Sequence, residues 1–176
     1  MTRVHYQGAI SIDGFIAPED GSVAWLEPYR ADGAEAIGAF MKGIGGAIVG
    51  RATYDLAVSM GGAALFGRIP TLIMTSRPVE PAPPDTMIVA GGEPAAALAK
   101  LRSAMKSGDI WLMGGGITAA SFLDAGLIDT INLIIIPILL GRGRPLLAGG
   151  PRSQAFRLSS TRAGKLGTVS TIYEKA

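Results

Sequence analysis

The stretch WLMGGGITAASFLDAG, residues 111–126, decides how the rest of the chain is interpreted. Its apolar start is typical of a buried strand, three glycines follow, and the residues after them are typical of a helix. Backbone N–H groups at the start of such a helix can bind a phosphate, helped by the helix dipole. Three glycines also suit a tight turn that lets a strand and a helix pack closely. The stretch alone leaves both alternatives open, and it matches neither a P-loop nor the spaced G-x-G-x-x-G pattern.

Composition narrows the class of protein. The chain has 176 residues, 48% of them hydrophobic, which predicts one globular domain over residues 1–176. It has no cysteine, and its single histidine, His5, has no partner that could complete a metal site, so we expect no bound metal. Without cysteine, any redox chemistry needs a bound cofactor. The net charge of +2 is scattered, so we expect no nucleic-acid partner. The apolar run LIIIPILL is too short to cross a membrane and no signal-peptide pattern is present, so we expect a cytoplasmic protein.

Short apolar stretches alternate with helical patterns through most of the chain. Strands are predicted at residues 4–12, 47–50, 71–76, 86–91 and 109–113, and helices at 31–46, 51–60, 93–108 and 117–127. Three further strands are predicted within 130–141, 155–164 and 167–176, the last two as an antiparallel pair. The alternation predicts a mainly parallel sheet with helices on both faces.

Five polar or glycine-rich loops follow these strands. They are residues 11–13, 50–53, 75–77, 91–92 and 114–116. Ligands of open parallel sheets bind at the carboxyl ends of the strands, so these loops are expected to meet at one rim and form a cleft for a small-molecule substrate.

Two of these loops combine arginine with glycine or hydroxyl residues. Their polar and glycine positions are Gly50, Arg51, Thr53, Thr75, Ser76 and Arg77. Two guanidinium groups suit a phosphate monoester, the group that distinguishes NADPH from NADH. Alternatively, Thr53 caps a helix, and Arg51 and Arg77 lie in solvent.

The candidate acids lie in the first quarter of the chain. Asp13 follows the first strand, where it serves the substrate or fixes the turn through local hydrogen bonds. Glu27, Asp32 and Glu35 lie on the loop and helix expected to cover the cleft, and each fits either a proton donor or a solvated charge. Of these we keep Glu27 and Asp32 as the candidate catalytic residues.

The segments AISIDGFIA, VGRATYD, MTSRP, MGGGITAASFLDAGLID and LLGRGRPLL occur in this order. Together they resemble the dihydrofolate reductase-like superfamily, most closely the branch of the C-terminal reductase domain of bacterial riboflavin biosynthesis (RibD). The resemblance spans about residues 4–173. It implies an α/β fold of three layers, α/β/α, with a mixed, mainly parallel eight-stranded sheet, NADPH as hydride donor, and a homodimer.

The resemblance also implies roles for individual residues. Ala9 and Ile16 would flank the nicotinamide, and Leu112 or Met113 would lie near the pteridine or pyrimidine pocket as a substrate-binding residue. The residues implied at the phosphates are Gly50, Arg51 and Thr53 on the adenosine side, Thr75, Ser76 and Arg77 near the 2'-phosphate, and Gly114, Gly115, Gly116, Ile117 and Thr118 along the pyrophosphate.

The expected function is therefore NADPH-dependent reduction of a small heterocyclic substrate, pterin-like or pyrimidine-like. The alternative is a non-catalytic NADPH-binding or pteridine-binding protein of the same fold. The stretch SVAWLEPYRADGAEA offers no match to the acid of dihydrofolate reductases, and Ala24 stands where several relatives carry an acid, so we do not expect dihydrofolate as the substrate. The apolar segment 134–140 is the expected dimer contact.

Overall fold

The computed structural model describes residues 2–62, 66, 68–80, 83, 87–150 and 152–176. The strands are β1 (Val4–Ser11), β2 (Phe15–Ala17), β3 (Ile44–Gly50), β4 (Thr71–Met74), β5 (Met87–Ala90), β6 (Asp109–Met113), β7 (Thr130–Ile136), β8 (Arg144–Pro145), β9 (Phe156–Ala163) and β10 (Val169–Lys175). The helices given by these residues are α1 (Arg30–Met41), α2 (Arg51–Ser59), α3 (Pro94–Ala104) and α4 (Gly116–Asp124), and a 3-10 helix (Ala24–Tyr29) precedes α1.

Eight of the strands form one sheet in the order β5-β4-β3-β6-β1-β7-β10-β9. Neighbouring strands are parallel from β5 to β7, and β10 is antiparallel to both β7 and β9. Helices α1, α2, α3 and α4 connect parallel strands of the sheet, whereas β9 and β10 are joined by a short turn, which only antiparallel strands permit. The predicted mixed, mainly parallel sheet and its antiparallel last pair are confirmed. The separate antiparallel pair β2–β8 was not predicted.

Helices cover both faces of the sheet. On one face, Tyr6, Ile48 and Leu112 are buried against Leu101 of α3 and Phe122 of α4. On the other face, Val49 and Ile73 pack with Tyr54 of α2 and with Phe66. The fold is therefore the predicted three-layer α/β/α arrangement, with α1 and α2 on the same side.

Helix α1 is attached differently from the other helices, because none of its residues is buried. The ring of Phe40 meets His5 and Trp111 edge to face, at centroid distances of 5.8 and 5.7 Å. Ala34 and Ile37, predicted as part of an apolar stripe, are exposed. They border a cavity instead of packing on the sheet, so α1 covers a space that a ligand can fill.

Several predicted boundaries were wrong. The helix expected over 31–46 ends at Met41, and Gly45 and Gly46 belong to β3. A Cβ atom on Gly46 would lie 2.5 Å from Met105 Sδ, so close packing explains glycine there. The helix expected over 93–108 ends at Ala104, because Met105 is extended. Thr86, predicted in a strand, lies outside the described residues.

Candidate functional site

A cavity of about 550 Å³ is lined by residues of β1, β6 and β7 and by the start of α2, beneath α1 and the 3-10 helix. We call it the rim cavity. Its size is within the range of small-molecule sites, and its walls are mainly apolar. The residues predicted from the sequence that line it are Ala9, Ile16, Glu27, Thr53, Met113, Gly114 and Gly115. The other predicted site residues lie outside its lining, some of them directly beside it.

Two helices begin beside the rim cavity without a side-chain cap. The residue before α2 is Gly50 and the residue before α4 is Gly115, and neither helix start receives a side-chain hydrogen bond from the described residues. A Cβ on Gly50 would lie 2.6 Å from Thr118 Oγ1 and 3.8 Å from Gly114 Cα, so the two starts are adjacent. Free N–H groups and the positive ends of two helix dipoles therefore point to one place, which suits an anion.

The three consecutive glycines have different surroundings. A Cβ on Gly114 would lie 3.1 Å from Thr118 Cβ, and one on Gly116 would lie 2.5 Å from the carbonyl oxygen of Pro145 and 2.9 Å from the nitrogen of Ala148. A Cβ on Gly115 would have no described atom within 4 Å. Close packing thus accounts for the first and third glycines, and the middle one leaves the approach to the helix start open.

The two candidate arginines differ in how they are held. Arg51 Nε donates to both carboxylate oxygens of Asp55, at 2.7 and 2.9 Å, and Nη1 donates to the carbonyl of Pro78. Arg51 thereby ties α2 to the loop after β4. Arg77 is exposed, and its guanidinium has no hydrogen bond or ion pair within the described ranges. Its backbone N–H donates to Thr75 Oγ1 at 3.1 Å, which fixes the turn.

Asp32, a predicted catalytic residue, lies outside the rim cavity. Its carboxylate accepts hydrogen bonds from the backbone N–H groups of Lys165 and Leu166 and from Thr168 Oγ1, at 3.2, 2.9 and 2.9 Å. Partial desolvation acts to raise the pKa of Asp32, but these hydrogen bonds outweigh it and hold the pKa below its ordinary value. Asp32 joins α1 to the β9–β10 turn, an arrangement that favours the structural alternative over proton donation.

Asp13, predicted at the substrate, also lies outside the rim cavity. Ser11 Oγ donates to it at 2.5 Å, and the N–H groups of Leu140 and Gly141 donate at 3.1 and 2.7 Å. The Ser11 hydrogen bond and these backbone N–H groups lower the pKa of Asp13 despite some desolvation. Its contacts favour the second of the two roles considered, the fixing of the turn after β1.

Glu27 is the one acid among the described residues that line the rim cavity. Its side chain is 65% exposed, and Oε2 lies 3.7 Å from Nη1 of Arg30. Arg30 and Arg144 also line the cavity, so its mouth carries more positive than negative charge.

Two polar residues on the floor of the rim cavity were not predicted from the sequence. Gln7 and Trp111 line the rim cavity, each is 8% exposed, and Gln7 Oε1 and Trp111 Nε1 lack a hydrogen-bond partner within the described part of the chain. A polar side chain in the middle of the central strand β1 was the available signal for Gln7. Nothing in the sequence distinguished Trp111 from a core residue.

None of the helices among the described residues has the length and apolar character needed to cross a membrane.

Comparison with known proteins identifies the family. The uncharacterized protein YwjB of Bacillus subtilis (strain 168) is 28% identical over 154 residues, which cover 88% of this chain and 87% of that protein. A crystal structure from Shewanella sp. PV-4, provisionally assigned to riboflavin biosynthesis, superposes with a TM-score of 0.83 at 25% identity over 99% of both chains. A dihydrofolate reductase from Enterococcus faecalis, solved with NADP(H), has a TM-score of 0.64 at 17% identity, over 98% of this chain and 96% of that one, so the fold is dihydrofolate reductase-like. The model of the RibD C-terminal domain matches residues 54–170, and the chain belongs to this family.

Proposed function

We propose that this protein is an NADPH-dependent oxidoreductase that transfers a hydride to a small conjugated heterocycle, of the pterin or pyrimidine kind. The observation that carries the proposal is the pair of uncapped helix starts, at Gly50 and Gly115, beside an apolar cavity. Membership of a family named for a riboflavin-pathway reductase domain supports it. The Enterococcus faecalis dihydrofolate reductase with NADP(H) supports the same cofactor class.

The residues present fit such a cofactor. The N–H groups at the starts of α2 and α4 would hold its pyrophosphate, and Gly115 would leave room for it. Arg77, a free cation among the described residues, would pair with the 2'-phosphate. Ala9 and Ile16 would bound the nicotinamide with apolar surface. The cofactor supplies the hydride, and the chain's part is to bind it, orient the acceptor and exclude water.

The proposal is tested by titrating the protein with NADPH and following tryptophan fluorescence. Trp111 lines the rim cavity, and Trp25, the other tryptophan, is replaced by phenylalanine so that the signal comes from Trp111 alone. We expect saturable quenching with a dissociation constant in the micromolar range. No change up to high micromolar NADPH would contradict the proposal.

One observation favours the alternative, a cofactor-binding protein without turnover. The acid in the described lining of the rim cavity, Glu27, is well exposed, whereas reductions that need a proton usually place a shielded donor beside the acceptor. The two functions are separated by incubating the protein with NADPH and a panel of pterins, pyrimidines and quinones. NADPH binding without oxidation across the panel would favour the alternative.

A further inference from the structure

One wall of the rim cavity is formed by the strand pair β2–β8 and carries an arginine. Arg144 of β8 lines the cavity, and its register partner in β2 is Ala17, which is buried and lines the same cavity. Ile16, which the proposed function assigns to the nicotinamide, precedes Ala17 in the chain. The backbone of Arg144 is therefore fixed on the wall where an acceptor beside the nicotinamide would lie.

The guanidinium of Arg144 is positioned by contact with the backbone of Gly21. A Cβ atom on Gly21 would lie 2.7 Å from Arg144 Nη2, 2.8 Å from Cζ and 3.0 Å from Nη1. The guanidinium thus occupies the space of a side chain at position 21 and covers Gly21, which is buried. Gly21 also lines the rim cavity, and its φ of 77° favours glycine. The charged head group of Arg144 is therefore held at the cavity and does not extend freely into solvent.

The charge of Arg144 is not balanced by any residue that the structure describes. Its guanidinium makes neither a hydrogen bond nor an ion pair within the described ranges. Arg30, the other arginine of the cavity, lies 3.7 Å from Glu27, the acid in the described lining. One positive charge is left over. A guanidinium already held in place keeps its N–H donors for a ligand and loses little conformational entropy when that ligand binds.

The surroundings of Arg144 favour a carboxylate over a phosphate. A carboxylate matches one guanidinium in charge, and its two oxygens accept two parallel N–H hydrogen bonds. A phosphate monoester carries about two negative charges and three acceptor oxygens, so a single guanidinium leaves it partly unbalanced. The helix starts at Gly50 and Gly115 are assigned to the cofactor, so they are not free for a second phosphate.

We infer that the heterocycle reduced in the rim cavity carries a carboxylate, and that Arg144 selects for this group. The rest of such a molecule would lie against the apolar side chains of Val23, Leu26 and Ile37, which suit a flat conjugated ring. This assignment rests on the proposed function, because it describes the acceptor that shares the cavity with the cofactor.

Three pterins that differ only in the substituent at C6 test the inference. Pterin-6-carboxylate carries the carboxylate, 6-hydroxymethylpterin is its uncharged control, and the phosphate ester of that alcohol is the dianionic control. Binding to the full chain, without NADPH, is followed through the fluorescence anisotropy of the pterins. We expect pterin-6-carboxylate to bind at least about tenfold more tightly than either control. Equal affinity for the carboxylate and the alcohol, tighter binding of the phosphate ester, or no saturable binding of any of the three would overturn the inference.

Arg144→Gln and Arg142→Gln show which arginine makes the contact. Arg142 is exposed, like Arg144, but does not line the rim cavity. We expect Arg144→Gln to lose the preference for the carboxylate and to bind the alcohol as the unmodified chain does, whereas Arg142→Gln keeps the preference. A preference that survives in Arg144→Gln, or disappears in Arg142→Gln, would overturn the assignment to Arg144. If Arg144→Gln does not fold, the comparison of the three pterins on the unmodified chain still decides whether a carboxylate is selected.

NADPH titrations of the same proteins distinguish this inference from the proposed function. Arg144 is not among the residues assigned to the cofactor, so Arg144→Gln should bind NADPH as the unmodified chain does. No NADPH binding by the unmodified chain would count against the proposed function, while the pterin preference, measured without NADPH, would stand. A chain that binds NADPH but does not prefer the carboxylate would count against this inference alone.

Discussion

Gly50, the last residue of β3, and Thr118 of α4 are in direct contact: a Cβ on Gly50 would lie 2.6 Å from Thr118 Oγ1. Thr118 also packs on Gly114, so its side chain lies between the end of β3 and the turn after β6. Only glycine lets the two backbones approach this closely. As a result the starts of α2 and α4 lie side by side, and one anion with several oxygens can accept hydrogen bonds from both.

Gly115→Ala and Gly116→Ala should separate ligand binding from folding. Gly116→Ala forces a Cβ against the backbone of Pro145 and Ala148, and we expect the free energy of unfolding to fall by about 1–3 kcal/mol. Gly115→Ala meets no described atom within 4 Å, so its stability should change little while its NADPH affinity falls. Urea denaturation and NADPH titration of both variants measure the two effects. A stable Gly115→Ala variant with unchanged NADPH affinity would remove the loop from the cofactor site.

Arg77→Ala should weaken NADPH binding about tenfold or more and leave NADH binding nearly unchanged. The reason is that the substitution removes the guanidinium that would make a charge-assisted contact with the 2'-phosphate, a group that NADH lacks. Arg51→Ala should instead lower stability, because it breaks the tie from α2 to Asp55 and Pro78. Titration of both variants with both coenzymes makes the comparison. Equal losses for NADPH and NADH in Arg77→Ala would exclude the 2'-phosphate assignment.

The sheet could be predicted because its strands are short, apolar and separated by clear helix patterns. Pro94 at the start of α3 and the Leu98–Leu101 spacing are local signals, and local signals decide helices. The face that α1 presents was not predictable in the same way. Its apolar stripe indicates a helix, but the stripe does not tell whether Ala34 and Ile37 meet a core or a cavity.

The site was predictable where it depends on chain order and not where it depends on contacts between distant residues. Gly114–Gly116 follow β6 directly and Gly50 is the last residue of β3, so their place at the rim is fixed by the parallel topology. The carboxylate of Asp32 accepts a hydrogen bond from the backbone N–H of Leu166, 134 positions away in the sequence. No local sequence pattern predicts that contact. The pairing of Gln7 with Asn132 is likewise a matter of sheet register, which the sequence leaves open.

Asp32→Asn should make the protein less stable at neutral pH and nearly as stable as the unmodified chain in strong acid. The pKa of Asp32 is lower in the folded protein than its ordinary value of 3.8, so its contribution is fully present above that value and is lost as the pH falls through the folded pKa. Urea midpoints measured from pH 7 downward test this. Glu35→Gln, which removes an exposed ion pair on the same helix, is the control and should change the midpoint little. If the urea midpoints of Asp32→Asn and the unmodified chain differ by the same amount at every pH, the ionised carboxylate of Asp32 does not make the contribution assigned to it.

Glu27→Gln tests whether the exposed acid at the rim cavity delivers a proton. With an acceptor that the protein reduces, we expect kcat to fall about a hundredfold while NADPH affinity stays the same, because a general acid acts in the transition state. Asp32→Asn is the matched control and should keep kcat, since its carboxylate is occupied by the β9–β10 turn. Unchanged kcat in Glu27→Gln would assign the proton to solvent.

Leu139→Glu should dissociate the homodimer that we propose. Within the segment 134–140, Ile134 and Ile136 are buried and line the rim cavity, so they are not available to a partner. Leu139 is 68% exposed, and Ile12, 61% exposed, lies in a strand-end loop that hydrogen-bonds to the same segment through the carbonyl of Ile138.

A leucine buried at an interface contributes roughly 1.5–3 kcal/mol, and a carboxylate placed there is costly to desolvate. Light scattering coupled to size exclusion should therefore show a dimer for the unmodified chain and half that mass for Leu139→Glu. Val89→Glu is the control, because Val89 is an exposed apolar residue on β5, at the other end of the sheet. If the unmodified chain is a monomer at high concentration, or if both variants remain dimeric, the contact does not lie at Leu139.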